Sequence, residues 1–192
     1  MSKVWVISDP HFHHANMLKG GRIANRSQFD TLSEMHEAIL DGVNAVVKPH
    51  HKLYVLGDVT LQRRYPPENL DIVQQLQGHK RLVLGNHDHF HLSEYVFAGF
   101  EKVLAMREMA GILFTHIPVH PGQFYRFRGN VHGHTHDSHV TTTVLHEDYT
   151  EQVRDPRYVN VCVEPRNYTP ISLDELVAHF ELNAKRHNWE GR

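Results

Sequence analysis

The chain has 192 residues, a length that suits one domain with a substantial core, and we predict a single domain over residues 1–192. Lysine and arginine together number 20, aspartate and glutamate 22, and the formal net charge is −2. This near-balance argues against a protein that binds nucleic acid or a membrane mainly through a large positive field. It leaves room for a nucleotide bound at a local site.

Histidine is the most prominent feature of the composition, with 19 residues dispersed along the chain. Imidazole is the commonest metal ligand and an acid or base near neutral pH. Cys162 is the single cysteine, so no internal disulfide is possible, which is typical of a reducing compartment. The apolar segment at residues 4–7 is too short for a signal peptide, and no segment approaches the roughly 20 apolar residues of a membrane helix. We therefore predict a cytoplasmic protein with no membrane contact.

Short apolar runs that end in polar residues recur along the chain and are predicted to be buried strands. The polar ends are Asp9-Pro10-His11, Gly57-Asp58, Gly85-Asn86-His87-Asp88, Thr115-His116 and His132-Gly133-His134-Thr135-His136. In open α/β sheets, side chains that handle ligands lie just beyond the carboxyl ends of the strands. Carboxylates and imidazoles in this position predict metal-ligand chemistry at one edge of the fold.

Helices are predicted where apolar residues recur at three- and four-residue spacing. The first begins near Asp30 or Thr31 and ends at Pro49, and a second ends just before Gly78. The last opens at residues 172–175, which have the form of a capping box.

The second half of the chain consists mostly of predicted strands. Its elements are a short helical stretch at Leu92–Phe97, a hairpin of Val103–Met109 and Ile112–Phe114 turning at Ala110-Gly111, and strands at Val140–Leu145 and Tyr158–Val163 joined by a loop over Glu147–Pro156. Alternating strands and helices followed by strands suit two packed sheets flanked by helices.

The ordered motifs D-x-H, G-D, G-N-H-D, a histidine after a strand and G-H-x-H resemble those of the calcineurin-like metallophosphoesterase superfamily, in its compact bacterial and phage form. Each motif alone is common, but the ordered set is specific and spans Asp9 to His136, about two thirds of the chain. The resemblance implies an α/β fold, a four-layer α/β/β/α sandwich of two mixed sheets flanked by helices. It places the metal site at the C-terminal ends of the strands.

The resemblance also implies two divalent metal ions and a set of ligands. The first ion would take Asp9, His11, Asp58 and His136, and the second would take Asp58, Asn86, His116 and His134, with Asp58 bridging. Such a mixed nitrogen and oxygen set suits Mn, Fe, Ni, Zn or Mg, of which we favour Mn. No ligand position is missing.

The implied reaction is attack of a metal-bridging hydroxide on phosphorus, since metal binding lowers the pKa of water to about 7 in favourable sites. His87 would protonate or stabilise the leaving oxygen, and Asp88 would orient His87. We predict a phosphodiesterase that acts on small phosphodiester or nucleotide-type substrates. The alternatives are a phosphomonoesterase with the same site and a non-catalytic protein-binding scaffold of the same fold.

Each candidate residue also has a plainer interpretation. Asp9 and Asp58 can cap a following helix, Asn86 can serve only as a turn residue, and His87 can be an ordinary surface histidine. The position of His116 competes with His120, four residues further on. The ordered motifs favour the ligand interpretation in each case.

Three further residues are candidates for substrate binding. His13 and His120 are placed to contact phosphate, and Arg126 lies in a stretch where basic and aromatic residues alternate, as in sites that stack a base and hold a phosphate. The alternative for that stretch is a half-buried edge with its arginines in water. The histidines without a place in the motifs are interpreted as solvated: His14, His79, His89, His91, His132, His139 and His146.

Other classes of protein fit less well. A scaffold predicts eroded ligands, a nuclease acting on polymers predicts a basic groove, and a histidine-rich storage protein predicts clustered histidines without carboxylates at strand ends. The predicted partner is therefore a small phosphoester or nucleotide, with no strong signal for nucleic-acid binding. The sequence leaves the oligomeric state open.

Overall fold

The computed structural model describes residues 2–21, 25–61 and 67–187. Its strands and α-helices are β1 (Val4–Ile7), α1 (Leu32–Val46), β2 (Lys52–Val55), β3 (His79–Val83), α2 (Leu92–Phe97), β4 (Phe100–Leu104), β5 (Arg107–Met109), β6 (Ile112–Phe114), β7 (Asn130–His132), β8 (Thr141–Leu145), β9 (Thr150–Arg154), β10 (Tyr158–Asn160), β11 (Ile171–Ser172) and α3 (Leu173–His187). Shorter 3₁₀ helices cover Ala15–Met17, Pro67–Gln75 and Pro121–Gln123.

The strands form two mixed sheets and one separate hairpin. The first sheet has the order β11-β1-β2-β3-β4, with β1 to β4 parallel and β11 antiparallel to β1. The second has the order β10-β7-β6-β5, in which only β5 runs antiparallel to its neighbour. Strands β8 and β9 pair with each other outside both sheets. The α/β class and the two mixed sheets are as predicted.

Alternation along the strands divides the apolar residues into two cores, because successive side chains of a strand point to opposite faces. Val6 and Tyr54 of the first sheet join Phe114 and Val131 of the second, so one core lies between the two sheets. Leu53 and its neighbours on the opposite face of the first sheet pack against α1. The first sheet is therefore covered on both faces.

Both helices with predicted amino-terminal signals begin where the sequence indicates. Thr31 caps α1, with its side chain accepting from the amide of Glu34 while the Glu34 carboxylate accepts from the Thr31 amide. At α3, the Ser172 hydroxyl accepts from the Glu175 amide at 3.2 Å, and the Glu175 carboxylate accepts from the Ser172 amide at 3.0 Å. The capping box at residues 172–175 is confirmed.

Three predicted elements differ from the structure. The expected second helix is a 3₁₀ helix at Pro67–Gln75, and the expected strand at 103–109 is divided between β4 in one sheet and β5 in the other. The expected loop over Glu147–Pro156 contains β9, whose largely exposed residues lack the alternation that marks a strand in sequence. The turn at Ala110-Gly111 does join β5 to β6, with both residues at positive φ.

The described part of the chain contains no helix with the length and apolar character needed to cross a membrane.

Candidate metal centre

The carboxyl ends of β1, β2 and β3 meet those of β6 and β7 at one edge of the molecule, because these strands are parallel within their sheets. The approach is so close that two glycines are required. A Cβ at Gly85 would lie 2.2 Å from Asp58 Oδ1, and one at Gly133 would lie 2.0 Å from Ser8 Oγ and 2.3 Å from Asp9 Oδ2. These glycines let the predicted ligands of different strands face one another.

The backbone is strained at the same edge. Positive φ angles occur at Asp9 (58°), His11 (46°), Asp58 (54°), His134 (68°) and His136 (47°). Such angles are uncommon for residues other than glycine and persist only where the surrounding structure enforces them. Most of the residues predicted as metal ligands therefore share a conformation that turns the side chain out of the normal course of the strand.

The first group of potential metal ligands consists of Asp9, His11 and His136, whose ligand atoms lie within 4.8 Å of one another. Asp9 Oδ2 accepts from Ser8 Oγ at 2.6 Å and from the His134 amide at 2.8 Å. The other oxygen, Oδ1, is buried without a hydrogen-bond partner among the described residues and lies 3.6 Å from His11 Nε2. One oxygen of Asp9 is thus held by the protein while the other faces the group.

The second group consists of Asp58, His116 and His134, again with ligand atoms within 4.8 Å of one another. His116 Nε2 lies 3.4 Å from Asp58 Oδ2 and 2.8 Å from Asn86 Oδ1, so the Asn86 amide adjoins this group. His116 Nδ1 lies 2.7 Å from the Leu56 carbonyl oxygen, so that an Nδ1–H donated there leaves Nε2 to face the centre.

Asp58 connects the two groups through one oxygen. Its Oδ1 accepts from the His87 amide at 2.8 Å, and its Oδ2 lies 3.5 Å from His11 Nε2 and 3.4 Å from His116 Nε2. A single carboxylate oxygen therefore faces ligands of both groups, which is the position required of a bridging ligand.

The burial and charge of these residues fit bound cations. Both ring nitrogens of His11 and Asp9 Oδ1 are buried without hydrogen-bond partners in the part of the chain that is described, although buried polar atoms are normally paired. Burial alone would raise the pKa of Asp9, but the adjacent His11 and His116 lower it well below its usual range. Burial lowers the pKa of His11. An ionised carboxylate beside a neutral imidazole is the state in which both bind metal.

His116 differs from His11 because its pKa is raised and not lowered. Burial by itself would lower its pKa, but the neighbouring carboxylates of Asp58 and Asp9 raise it to about 9. In the metal-free protein this imidazole is therefore protonated at neutral pH, and it must lose a proton to bind an ion.

His87 lies beside the centre and is open to solvent. Its Nε2 is 3.9 Å from Asp58 Oδ2, its side chain is 38% exposed, and its ring centroid is 5.8 Å from that of His11. A substrate at the centre can therefore reach the His87 ring, and His87 belongs to neither group of potential metal ligands.

The contacts of Asp88 correct the predicted role of that residue. Its carboxylate accepts from the amides of Gly85 (2.8 Å), Asp58 (2.9 Å) and Val59 (3.0 Å), whereas the sequence predicted a contact that orients the His87 ring. Burial raises the pKa of Asp88 to about 6. Three convergent amides at adjacent strand ends are satisfied by this one carboxylate, so Asp88 holds together the turns that carry Asp58 and His87.

The three predicted substrate-binding residues lie outside both groups. The amide of His13 donates to His36 Nε2 at 2.9 Å, and the two rings pack with centroids 4.6 Å apart. His120 caps the 3₁₀ helix at 121–123 by accepting from the Gly122 amide at 3.1 Å, and Arg126 is exposed just beyond that helix. The structure thus brings His116 into the second group and gives His120 a capping contact.

Two histidines interpreted as solvated are buried. His14 is 7% exposed, with both ring nitrogens lacking a partner among the described residues and its ring centroid 5.6 Å from that of His11. His132 is 1% exposed, and its Nδ1 lies 2.8 Å from the Gly133 carbonyl oxygen. The solvated interpretation is wrong for both, because neighbouring segments cover them.

Sequence reasoning also missed a buried ion pair beside the first group. Arg26 and Glu164 are 138 residues apart, and Arg26 Nε donates to Glu164 Oε1 at 2.9 Å. Neither residue belongs to a motif, and no local pattern marks either of them as part of the site.

No model of a known protein family matches the chain. The uncharacterized protein MJ1445 of Methanocaldococcus jannaschii is 31% identical over 184 residues, which cover 94% of this chain and 93% of that protein. The chain belongs to the same family as MJ1445.

Among solved structures, the protein of unknown function AQ665 from Aquifex aeolicus matches with a TM-score of 0.62 and 28% identity over 92% of this chain and 98% of that one. The nuclease MPE of Pseudomonas putida matches less well, with a TM-score of 0.45 and 20% identity over 69% of this chain and 60% of that chain. The AQ665 match establishes a shared fold.

Proposed function

We propose that this protein is a dinuclear metal-dependent phosphoesterase of the calcineurin-like metallophosphoesterase superfamily. We further propose that it acts as a phosphodiesterase on small phosphodiester or nucleotide-type substrates. The observation that carries the proposal is the position of Asp58 Oδ2, which lies 3.5 Å from a ring nitrogen of the first group and 3.4 Å from one of the second. Asp58 would thus help to hold both ions, and two neighbouring ions stabilise the attacking and leaving oxygens of a displacement at phosphorus.

The proposed ligands divide between the two ions. Asp9, His11 and His136 would hold the first ion, Asn86, His116 and His134 the second, and Asp58 both. We favour Mn for both positions, since mixed imidazole and carboxylate sites accept borderline metals. When bound, the ions would supply Lewis acidity toward phosphoryl oxygens and lower the pKa of water.

His87 is the proposed catalytic acid. Its side chain is 38% exposed and its Nε2 is 3.9 Å from Asp58 Oδ2, so it can reach a leaving oxygen on a substrate held at the centre. The backbone of the same residue donates to Asp58 Oδ1, which couples the position of the acid to that of the bridging carboxylate. Asp88 would help to fix the positions of both His87 and Asp58, because its carboxylate binds the backbone of the turns that carry them.

The preference for diesters rests on the openness of the centre. His134 and Asn86 are both exposed, so the second group faces solvent and leaves room for two substituents on phosphorus. We retain His13, His120 and Arg126 as proposed contacts for the rest of the substrate. Of these, the exposed His120 and Arg126 lie in the segment that follows β6 and His116.

We propose a single domain arranged as a four-layer α/β/β/α sandwich, supported by the core between the sheets and by α1 on the outer face of the first. We also propose a cytoplasmic location, since the single cysteine, Cys162, suits a reducing compartment. We propose a small phosphoester or nucleotide as the partner, supported by the near-neutral net charge of −2.

The experiment that tests the function is hydrolysis of a matched aryl phosphate monoester and diester by metal-stripped protein with Mn, Ni, Zn or Mg added back. We expect diester turnover that requires metal, is lost in Asp58→Ala and persists in the control Asp41→Ala, whose residue is exposed on α1. Turnover of the monoester alone would reassign the protein as a phosphomonoesterase. Absence of turnover with two ions bound would contradict the proposed activity.

A further inference from the structure

The buried pair of Arg26 and Glu164 lies directly behind the first group of ligands. The Arg26 side chain is fully buried, and its Nη1 and Nη2 donate to the carbonyl oxygens of Pro10 and Asp9, each at 2.6 Å. The same guanidinium contacts Glu164 Oε1 through Nε at 2.9 Å and Nη2 at 2.8 Å. One arginine thus fixes both the backbone that carries Asp9 and the position of the Glu164 carboxylate.

Glu164 in turn contacts the candidate ligand His136. Its Oε1 lies 3.0 Å from His136 Nδ1, so the carboxylate accepts the Nδ1–H and leaves Nε2 free to bind an ion. A carboxylate acceptor also makes the imidazole a stronger ligand, and such orienting partners typically account for about 10- to 100-fold in metal affinity.

In the part of the chain that is described, His116, the buried histidine of the second group, has no equivalent carboxylate behind its Nδ1. There, His116 Nδ1 faces the neutral carbonyl oxygen of Leu56 at 2.7 Å. The two groups are therefore supported by different chemistry, a charged and arginine-fixed acceptor for one and a backbone carbonyl for the other.

We propose that Glu164, held in place by Arg26, is a positioning residue that sets the metal affinity of the first site separately from that of the second. The inference rests on the proposed dinuclear centre and adds a residue-level cause for unequal occupancy of its two positions. Removing the Glu164 carboxylate loosens the ion held by Asp9, His11 and His136 and leaves the other ion in place.

The test measures Mn binding to metal-stripped protein by equilibrium dialysis, with electron paramagnetic resonance to separate a lone ion from a coupled pair. The variants are Glu164→Gln and Glu164→Ala. The matched control is Glu101→Gln, because Glu101 also pairs with a histidine, His79, but on the exposed surface.

We expect wild type and Glu101→Gln to bind two ions with a coupled spectrum. Glu164→Ala should bind one ion tightly and the second about 10- to 100-fold more weakly, with the spectrum of an isolated Mn ion at intermediate concentrations. Glu164→Gln should fall between them, because its amide oxygen still accepts from His136 although its negative charge is gone. If Glu164→Ala does not fold, the spectrum and stoichiometry of Glu164→Gln decide the matter.

Equal affinity for two ions in both Glu164 variants would overturn the inference and leave the proposed function standing. Equal weakening of both ions would overturn it as well, since the effect would then be general. Binding of fewer than two ions by the wild-type protein would contradict the dinuclear centre and therefore the inference as well. This outcome depends only on the wild-type measurement, so it is distinct from the results for the Glu164 variants.

Discussion

Asp58 shows how much of the site depends on the direction of single atoms. Its Oδ1 is held by the His87 amide, and its Oδ2 faces ring nitrogens of both ligand groups. The positive φ of 54° at this residue turns the side chain into that position. A carboxylate of the same identity in ordinary strand geometry would not face both groups, so residue type alone does not create the bridge.

The catalytic role proposed for His87 predicts a selective defect. His87→Ala should retain both ions, because the ring is not a ligand, and should lower kcat by roughly 100-fold or more for poor leaving groups. The effect should shrink for leaving groups that need no proton. Paired aryl diesters of low and high leaving-group pKa measure this, with metal content determined on the same samples.

His146→Ala serves as the control, since His146 lies exposed at the end of β8. Loss of metal from His87→Ala, with unchanged turnover per bound ion, would contradict the role assigned to His87.

The raised pKa of His116 predicts that metal uptake depends on pH. This imidazole has a pKa of about 9 in the metal-free protein, so an ion entering the second group displaces a proton at pH 7. Apparent affinity should rise as the pH increases toward 9 and level off above it. Calorimetric titration in buffers of different ionisation enthalpy measures the proton released.

The same raised pKa makes the stability of the metal-free protein fall as the pH increases, whereas metal affinity rises. Because the folded pKa lies above the unfolded value of about 6.5, the contribution of His116 to the stability of metal-free protein is fully present below pH 6.5. It is lost as the pH rises through about 9.

The calorimetric titration of metal binding has its own contradicting outcome. If the number of protons released on metal binding does not change between pH 6 and pH 10, His116 is not the group that loses the proton.

At the scale of elements, the site depends on how closely the end of β7 approaches that of β1. A Cβ at Gly133 would lie 2.0 Å from Ser8 Oγ, a distance that requires the strand ends to separate. Gly133→Ala should therefore destabilise the fold by roughly 1–3 kcal/mol and weaken the first metal, because Asp9 and His134 are linked across this contact.

Urea unfolding and Mn binding test this prediction. Gly20→Ala is the control for backbone strain alone: Gly20 has a φ of +73°, and a Cβ added there would meet no atom of the described residues within 4 Å beyond its chain neighbours. It should cost about 1–2 kcal/mol and leave metal binding unchanged. Normal metal binding by Gly133→Ala would show that the close approach is not needed for the centre.

For the whole molecule, the candidate ligands come from both sheets. Asp9, Asp58 and Asn86 follow strands of the first sheet, and His116, His134 and His136 follow strands of the second. Two bound ions would therefore join the edges of the sheets that enclose the central core. Ions that bind only the folded state stabilise it by about 2.7 kcal/mol per site at a concentration 100 times the Kd.

We therefore expect metal removal to lower Tm and saturating Mn to restore it. Thermal unfolding with and without a chelator measures the shift, and Asp58→Ala should show little response to Mn. A Tm that is unchanged by Mn in wild type, under conditions where two ions are bound, would mean that the ions do not discriminate between folded and unfolded chain.

The sequence by itself determined the features that depend on near neighbours. Capping residues three positions apart set the start of α1 and α3, and adjacent residues at positive φ set the β5–β6 turn. The ligand types at the strand ends were also visible, because parallel strands place their carboxyl ends at one edge.

Only the tertiary structure decided which atoms meet. Asp88 serves amides of two different strand ends, Arg26 pairs with a carboxylate 138 residues away, and His14 is buried. The 103–109 segment is likewise divided between two sheets. The physical reason is common to all four: burial and hydrogen-bond partners depend on which segments pack together, and a local pattern carries no record of a partner distant in the chain.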